Sequence, residues 1–139
     1  TNGNFTDEVI AELVKNNIKM NITAIFTIEQ IKKILPIVKE TNSILSVFAG
    51  RIFDCGEDAS QIMEDICNEV RKVSDCQILW ASPRMSYDYH NAIKCGAQII
   101  TMQLSQIKKL KIFNKNLDEY SLETVKQFYD DATSSGYKL

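Results

Sequence analysis

The sequence holds one histidine, two prolines, one tryptophan and no C-x-x-C pair. Zinc and dithiol-redox centres need cysteine or histidine at short spacings, whereas Cys55, Cys67, Cys76 and Cys95 are separated by 12, 9 and 19 positions. No metal and no cofactor is expected. The four thiols read as reduced, because a 139-residue chain with 45% apolar residues can fill a core without disulfide staples. His90 has no partner group in sequence and reads as a partly exposed helix residue. Basic and acidic residues, 16 and 18 of them, are mixed along the chain with no block of one sign. Neither a nucleic-acid nor a membrane surface is expected from such a distribution. No apolar stretch approaches the roughly 18 residues that cross a bilayer, and no basic-then-apolar leader opens the chain, so a cytoplasmic location is expected. Nor is there a long low-complexity linker, so residues 1–139 read as one unit. The opening Thr1-Asn2-Gly3-Asn4-Phe5 lacks an initiating methionine and reads as the start of a cut piece.

What the chain does contain is an alternation of short β-like runs and helical ones. Thr6, Asp7 and Glu8 suit a helix start, with Val9, Ile10, Leu13 and Val14 on one face and Asn16-Asn17 at the end. A strand is expected over Ile18–Phe26, with Asn21 and Thr23 as polar residues on one side among apolar neighbours. Thr27-x-x-Gln30 has the form of a capping box, opening a helix with Ile28, Ile31, Ile34, Leu35 and Val38 on its buried stripe. Pro36 should kink or break that helix. A second strand is expected over Ser43–Ala49, a turn at Asp54–Glu57, and a helix capped by Asp58 with Ile62, Ile66 and Val70 inward. Further strands are expected over Cys76–Ala81 and Ala97–Met102. Helices are expected near Tyr87–Lys94 and Ser105–Leu110, and a last one over 121–135 carries Leu122, Val125, Phe128 and Tyr129 on one side.

Four strands each followed by a helix make an α/β fold with a parallel sheet. A full (β/α)8 barrel takes about 250 residues, so this chain supplies about half of one, four parallel strands. Two open edges and a half-covered apolar face follow, so the chain is expected to pair with a second copy or with a missing N-terminal half.

Arg51 and Arg84 stand out against this background. Each lies just past an apolar run and close behind a serine, in Ile44-Leu45-Ser46-Val47-Phe48-Ala49-Gly50-Arg51 and Ile78-Leu79-Trp80-Ala81-Ser82-Pro83-Arg84. Their 33-residue separation is about one β/α repeat, which brings both guanidinium groups to one rim of the sheet. Parallel α/β folds bind ligands at the C-terminal rim, and the guanidinium fork matches a phosphate dianion. Taken singly, each reads first as an ordinary surface arginine, and it is the repeated context that shifts the reading toward a shared phosphate clamp.

Lys19-Met20-Asn21-Ile22-Thr23-Ala24-Ile25-Phe26-Thr27-Ile28-Glu29-Gln30, Ser46-Val47-Phe48-Ala49-Gly50-Arg51-Ile52-Phe53-Asp54 and Trp80-Ala81-Ser82-Pro83-Arg84, in that order and spacing, resemble the C-terminal half of transaldolases and fructose-6-phosphate aldolases. The resemblance extends over essentially the whole chain, including the tail from Ser121 to Tyr137. It implies a Schiff-base enzyme of carbohydrate metabolism that moves a dihydroxyacetone unit from a ketose phosphate to an aldehyde. By the same resemblance Thr23 would hold the water that exchanges protons with the iminium and carbinolamine intermediates. Asn21 and Ser46 would hydrogen-bond hydroxyls of the three-carbon unit, and Arg51 and Arg84 would hold the distal phosphate, which positions the reacting carbon.

The nucleophilic lysine of that family would lie a few residues upstream of Thr1-Asn2, and its proton-transferring aspartate and glutamate on earlier strands. The piece alone is therefore expected not to turn over substrate.

Structural readings stand beside these roles. Asn21 and Thr23 could satisfy one another inside a barrel, Ser82 could cap a turn, and Asp54 could pair with an arginine or cap a turn. Tyr87 and Tyr89 read as packing or surface groups and Trp80 as core. Val47 replaces a proline common in the family after the strand serine, and Pro83 replaces an aromatic, which puts the choice of sugar phosphate, including the pentose-phosphate reaction, in doubt. Two other functions compete. One is a non-catalytic phosphosugar-binding half-barrel that dimerises; the other is a different phosphate-binding barrel or a flavodoxin-like domain.

Overall fold

A computed structural model describes residues 3–136. The readings that rest on Thr1-Asn2 and on Tyr137 lie outside these residues. Helix α1 (Asp7–Lys15) leads into β1 (Asn21–Ile25), α2 (Ile28–Val38) and β2 (Ile44–Val47). Next come α3 (Ala49–Asp54), α4 (Ala59–Arg71), β3 (Gln77–Trp80), α5 (Asp88–Cys95) and β4 (Ile99–Ile100). Helix α6 (Leu104–Lys109), a 3-10 turn (Leu110–Ile112) and α7 (Leu117–Ser134) complete the order.

The strands form one parallel sheet in the order β1-β2-β3-β4, an α/β fold consistent with half of a (β/α)8 barrel. A flavodoxin-like sheet changes its strand order at a switch point, whereas the four strands described here lie side by side in chain order.

Register divides the sheet into two faces. Ile22, Leu45 and Ile78 are aligned across it, as are Val47, Trp80 and Ile100. These residues belong to or pack against the main apolar cluster, together with Ile31, Ile34 and Val38 of α2 and Met63, Ile66 and Val70 of α4. Each such side chain withdrawn from water contributes about 1.5–3 kcal/mol. The alternate residues, Asn21, Ile44 and Gln77 and then Ser46, Leu79 and Ile99, are aligned likewise but lie outside that cluster. Helices therefore cover one face, and the polar strand residues stand on the other.

Local chemistry explains most of the helix starts. Thr27 and Gln30 form the capping box, the Thr27 hydroxyl accepting from the Gln30 N–H and the Gln30 side chain accepting from the Thr27 N–H. Asp58 caps α4 by accepting from the N–H groups of Ser60 and Gln61. Thr6 makes no side-chain cap to α1, and Val9 and Leu13 stay outside the core while Ile10 is buried.

Several boundaries differ from the sequence expectation. Every strand is shorter than its apolar run, because pairing ends where the neighbouring strand ends, and edge strand β4 keeps only two residues. Arg51 consequently sits on α3, a helix, and not on a strand exit. Helix α2 runs through Pro36 to Val38, since a proline two residues from the end deprives only one carbonyl of its partner. Helix α7 starts at Leu117, four residues before the expected Ser121, because the Asn116 side chain accepts from the N–H groups of Asp118 and Glu119 at 2.9 and 3.2 Å. None of its residues is buried. All four cysteines are free thiols, and Trp80 is fully buried in the core.

Candidate active site

Two loops at the C-terminal rim are stitched together. The Gly50 N–H, at the start of α3, donates to the Ala81 carbonyl at 3.3 Å, just past β3. A side chain on Gly50 has no room, for a Cβ there would overlap the Ser82 carbonyl oxygen and lie 2.6 Å from its carbon. The same Cβ position is 3.4 Å from Cγ of Arg84. Glycine is thus required by close approach, and that approach brings Arg51 and Arg84 to one rim.

Both arginines act on Asp54, at the end of α3. Arg84 Nε donates to Asp54 Oδ1 at 2.9 Å, its Nη2 pairs with Asp54 Oδ2, and its Nη1 donates to the Ser82 hydroxyl at 3.1 Å. Asp54 therefore pairs with an arginine, and Ser82 receives that arginine's third donor instead of capping a turn. Hydrogen bonding to Arg84 is the main cause that holds the Asp54 carboxyl below its ordinary range, and Arg51 lowers it further through space. The reciprocal bond raises Arg84. Arg51 makes no ion pair among the described residues; its guanidinium carbon lies 5.3 Å from the centre of the Phe48 ring, a cation–π distance. One fork is occupied and one is open.

Because the folded carboxyl is depressed, the Asp54–Arg84 pair is present above the ordinary Asp value of 3.8 and is lost as pH falls through the lower folded value. Asp54→Asn should leave thermal stability essentially unchanged, as exposed pairs contribute little, and should tighten inorganic phosphate binding about threefold by removing a competing anion. Calorimetric titration checks this.

The Arg84 loop is held from two further sides. Asp88, at the start of α5, is fully buried; its Oδ2 accepts from the backbone N–H of Arg84 at 2.7 Å and of Met85 at 3.0 Å, and its Oδ1 from Asn91 Nδ2 at 3.2 Å. Gln106 of α6 donates through its side chain to the Pro83 carbonyl at 3.1 Å, and its own carbonyl accepts from the Ser86 hydroxyl at 3.1 Å. Asp88→Ala should cost about 2–4 kcal/mol, because it leaves two backbone donors without their charged acceptor. Urea denaturation measures this, and phosphate affinity should fall in the same variant. Neither Asp88 nor Gln106 was marked out by the sequence reading; the only signal was an aspartate four residues after Arg84.

On β1 and β2, the Ser46 hydroxyl donates to Asn21 Oδ1 at 2.6 Å. Ser46 is 2% exposed, while Asn21 is exposed. Asn21 is therefore satisfied by Ser46 and not by Thr23, which overturns the reading in which those two bond each other. Thr23 is exposed, and its side chain has no hydrogen-bond partner among the described residues. After Ile22 the register with β2 shifts, and Ala24 has φ of 62°. Ser82, next to Pro83, likewise has φ of 62°. Left-handed backbone at a residue with a side chain costs of order 1–3 kcal/mol and gathers at functional sites. Of the four such residues described, Ala24 is next to Thr23 and Ser82 lies two positions before Arg84, while the other two, Asn17 and Asn114, are asparagines, which tolerate this conformation.

His90 is exposed and stacks on Phe113, ring centres 4.9 Å apart, away from the arginines' hydrogen bonds. Tyr87 and Tyr89 are exposed beside it. Among the described residues no cluster of His, Cys, Asp and Glu is arranged to hold a metal ion, and no helix is long and apolar enough to cross a membrane.

A family model described as Transaldolase/Fructose-6-phosphate aldolase matches residues 6–139. The chain belongs to this family. A probable transaldolase of Streptococcus agalactiae serotype V is 31% identical over 126 residues, which is 87% of this chain and 54% of the relative. One from Thermoanaerobacter sp. (strain X514) is 30% identical over 128 residues, 91% of this chain and 56% of the relative. Another, from Exiguobacterium sibiricum, is 34% identical over 105 residues, covering 74% and 47%. The chain thus spans about half the length of these curated relatives. Within the transaldolase family setting, the sheet face that carries Asn21, Thr23 and Ser46 is the one left uncovered by helices.

Proposed function

We propose that the chain is the C-terminal, phosphate-binding part of a transaldolase-type Schiff-base enzyme. The full protein moves a dihydroxyacetone unit from a ketose phosphate to an aldose phosphate. The observation that carries this reading is the joining of the two rim loops at Gly50, which puts an open arginine fork, Arg51, beside Arg84 in a chain of this family. Arg51 and Arg84 hold the sugar phosphate, whose dianion displaces or outflanks Asp54. Asn21, oriented by Ser46, hydrogen-bonds hydroxyls of the three-carbon unit. Thr23, with a hydroxyl able both to donate and to accept, holds the proton-transferring water. The nucleophilic lysine belongs to the part of the protein that precedes this chain. No cofactor is needed, because the iminium itself withdraws the electrons released by carbon–carbon cleavage. The enzyme works in the cytoplasm.

Borohydride reduction with a ketose phosphate tests this directly. The full-length protein should gain a covalent three-carbon adduct on a lysine and the 139-residue chain should gain none. An unlabelled full-length protein would remove the catalytic reading and leave the alternative, a phosphosugar-binding half-barrel that dimerises. What favours that alternative is the apolar side of α7, where Leu122, Val125, Phe128 and Tyr129 are 55–70% exposed. Either reading requires pairing, with a second copy or with the N-terminal half, and a monomer by sedimentation of the isolated chain would count against the second-copy form.

A further inference from the structure

The exit of β4 carries a hydroxyl to which the proposed chemistry gives no task. Thr101 follows the last residue of β4, and its backbone N–H donates to the Trp80 carbonyl at 3.1 Å, so the parallel pairing with β3 continues to this point. Side chains alternate along such a strand. Thr101 therefore falls on the side of Ile99, which is aligned through Leu79 with Ser46 on the face that helices leave uncovered. It is exposed, and its side chain makes no hydrogen bond among the described residues.

A recess of about 260 Å³ joins this hydroxyl to the phosphate loop. Its lining includes Ser82 and Arg84 from the β3 exit and Thr101 and Gln103 from the β4 exit. Gln106, also in the lining, ties the two exits together: its side-chain oxygen accepts from the Gln103 N–H at 2.9 Å and its side-chain nitrogen donates to the Pro83 carbonyl at 3.1 Å. Neither loop can then shift alone. The recess has roughly the volume of nine waters, room for the two carbons nearest a phosphate with their hydroxyls. Arg84 is its one charged side chain, and the Nε, Nη1 and Nη2 of that arginine already meet Asp54 and Ser82. The other polar side chains of the lining are neutral hydroxyls and amides, which suit a polyol and not a second anion.

We propose that Thr101 is a specificity-determining residue whose hydroxyl hydrogen-bonds the sugar hydroxyl on the carbon next to the phosphate-bearing one. This rests on the reading of Arg51 and Arg84 as the phosphate clamp. With the phosphate on the arginines, the adjoining recess receives the carbons that follow it. A threonine hydroxyl donates and accepts, as a sugar hydroxyl does, so the two can pair in either sense. Its β-branched side chain is stiff at χ1, so little rotamer freedom is lost when it binds.

Titration of the 139-residue chain with three small phosphates tests this. They are inorganic phosphate, racemic glycerol 3-phosphate, and 3-hydroxypropyl phosphate, which lacks only the hydroxyl next to the phosphate-bearing carbon. The parent chain should bind glycerol 3-phosphate about fivefold more tightly than the deoxy analogue, the effect of one neutral hydrogen bond. In Thr101→Val, which keeps the branched shape and loses the hydroxyl, that ratio should fall to about one. Thr101→Ser should restore it. Each ratio is taken within one variant, so a general weakening of binding cancels. A parent chain that binds inorganic phosphate without separating the two organic phosphates overturns the proposal and leaves the clamp standing, and so does a Thr101→Val chain that keeps the parent's ratio. A parent chain that binds none of the three overturns the clamp itself, and the role of Thr101 with it.

Discussion

Sugar-phosphate affinity should fall by about a hundredfold or more in the double variant Arg51→Ala, Arg84→Ala, because in the proposed clamp each arginine would supply charge-assisted hydrogen bonds of about 1.5–3 kcal/mol to the dianion. The two arginines are unequal. Arg51 has no ion-pair partner among the described residues and meets a phosphate at no cost in broken pairs, whereas Arg84 must loosen its hold on Asp54. Arg51→Ala should therefore lose more affinity than Arg84→Ala. Because both act on one ligand, the double loss should be smaller than the sum of the single ones. Titration of the isolated chain with a ketose phosphate and with inorganic phosphate measures all three variants. A double variant that binds like the parent would show that the arginines do not form one clamp.

Gly50→Ala is expected to be the most damaging single-methyl change in the chain, at about 3 kcal/mol or more, since the new Cβ meets backbone that has no rotamer with which to yield. Relief requires the Ser82–Arg84 loop to move away from α3. That loop is already held by Asp88 and Gln106, so the strain spreads into the site. Urea denaturation should show the loss of stability, and phosphate titration should show a parallel loss of affinity. Gly56→Ala is the matched control. Gly56 has φ of 82° but open space at its Cβ, so the change should cost only about 1 kcal/mol and leave binding alone. Equal behaviour of the two variants would mean that the Gly50 contact does not join the loops.

Much of this architecture was legible before any coordinates. The Thr27/Gln30 capping box, the Asp58 cap and the four apolar runs each depend on residues within a few positions of one another, and all four runs became strands of one parallel sheet. Strand ends were less legible because an apolar run does not say where its neighbour stops. Ala49 illustrates this: it continues the β2 pattern in sequence yet begins α3, which turns Arg51 onto a helix. The start of α7 was missed because Asn116, one exposed asparagine among several polar residues, gains its meaning only from the N–H groups it caps.

By itself the sequence determined the alternation of strand and helix, the two serine-preceded arginines at one β/α repeat, and the motifs that mark the transaldolase family. These are properties of composition, period and order along the chain. Only the tertiary structure decided which groups meet. Asn21 finds Ser46 and not Thr23, Arg84 finds Asp54 and Ser82, and Asp88 is buried beneath the loop that carries Arg84. Those pairings join residues from 2 to 30 positions apart, and all but the nearest are set by helix packing and strand register. Hydrogen bonds and ion pairs act over a few ångströms, so their partners are chosen by the fold and not by distance along the chain.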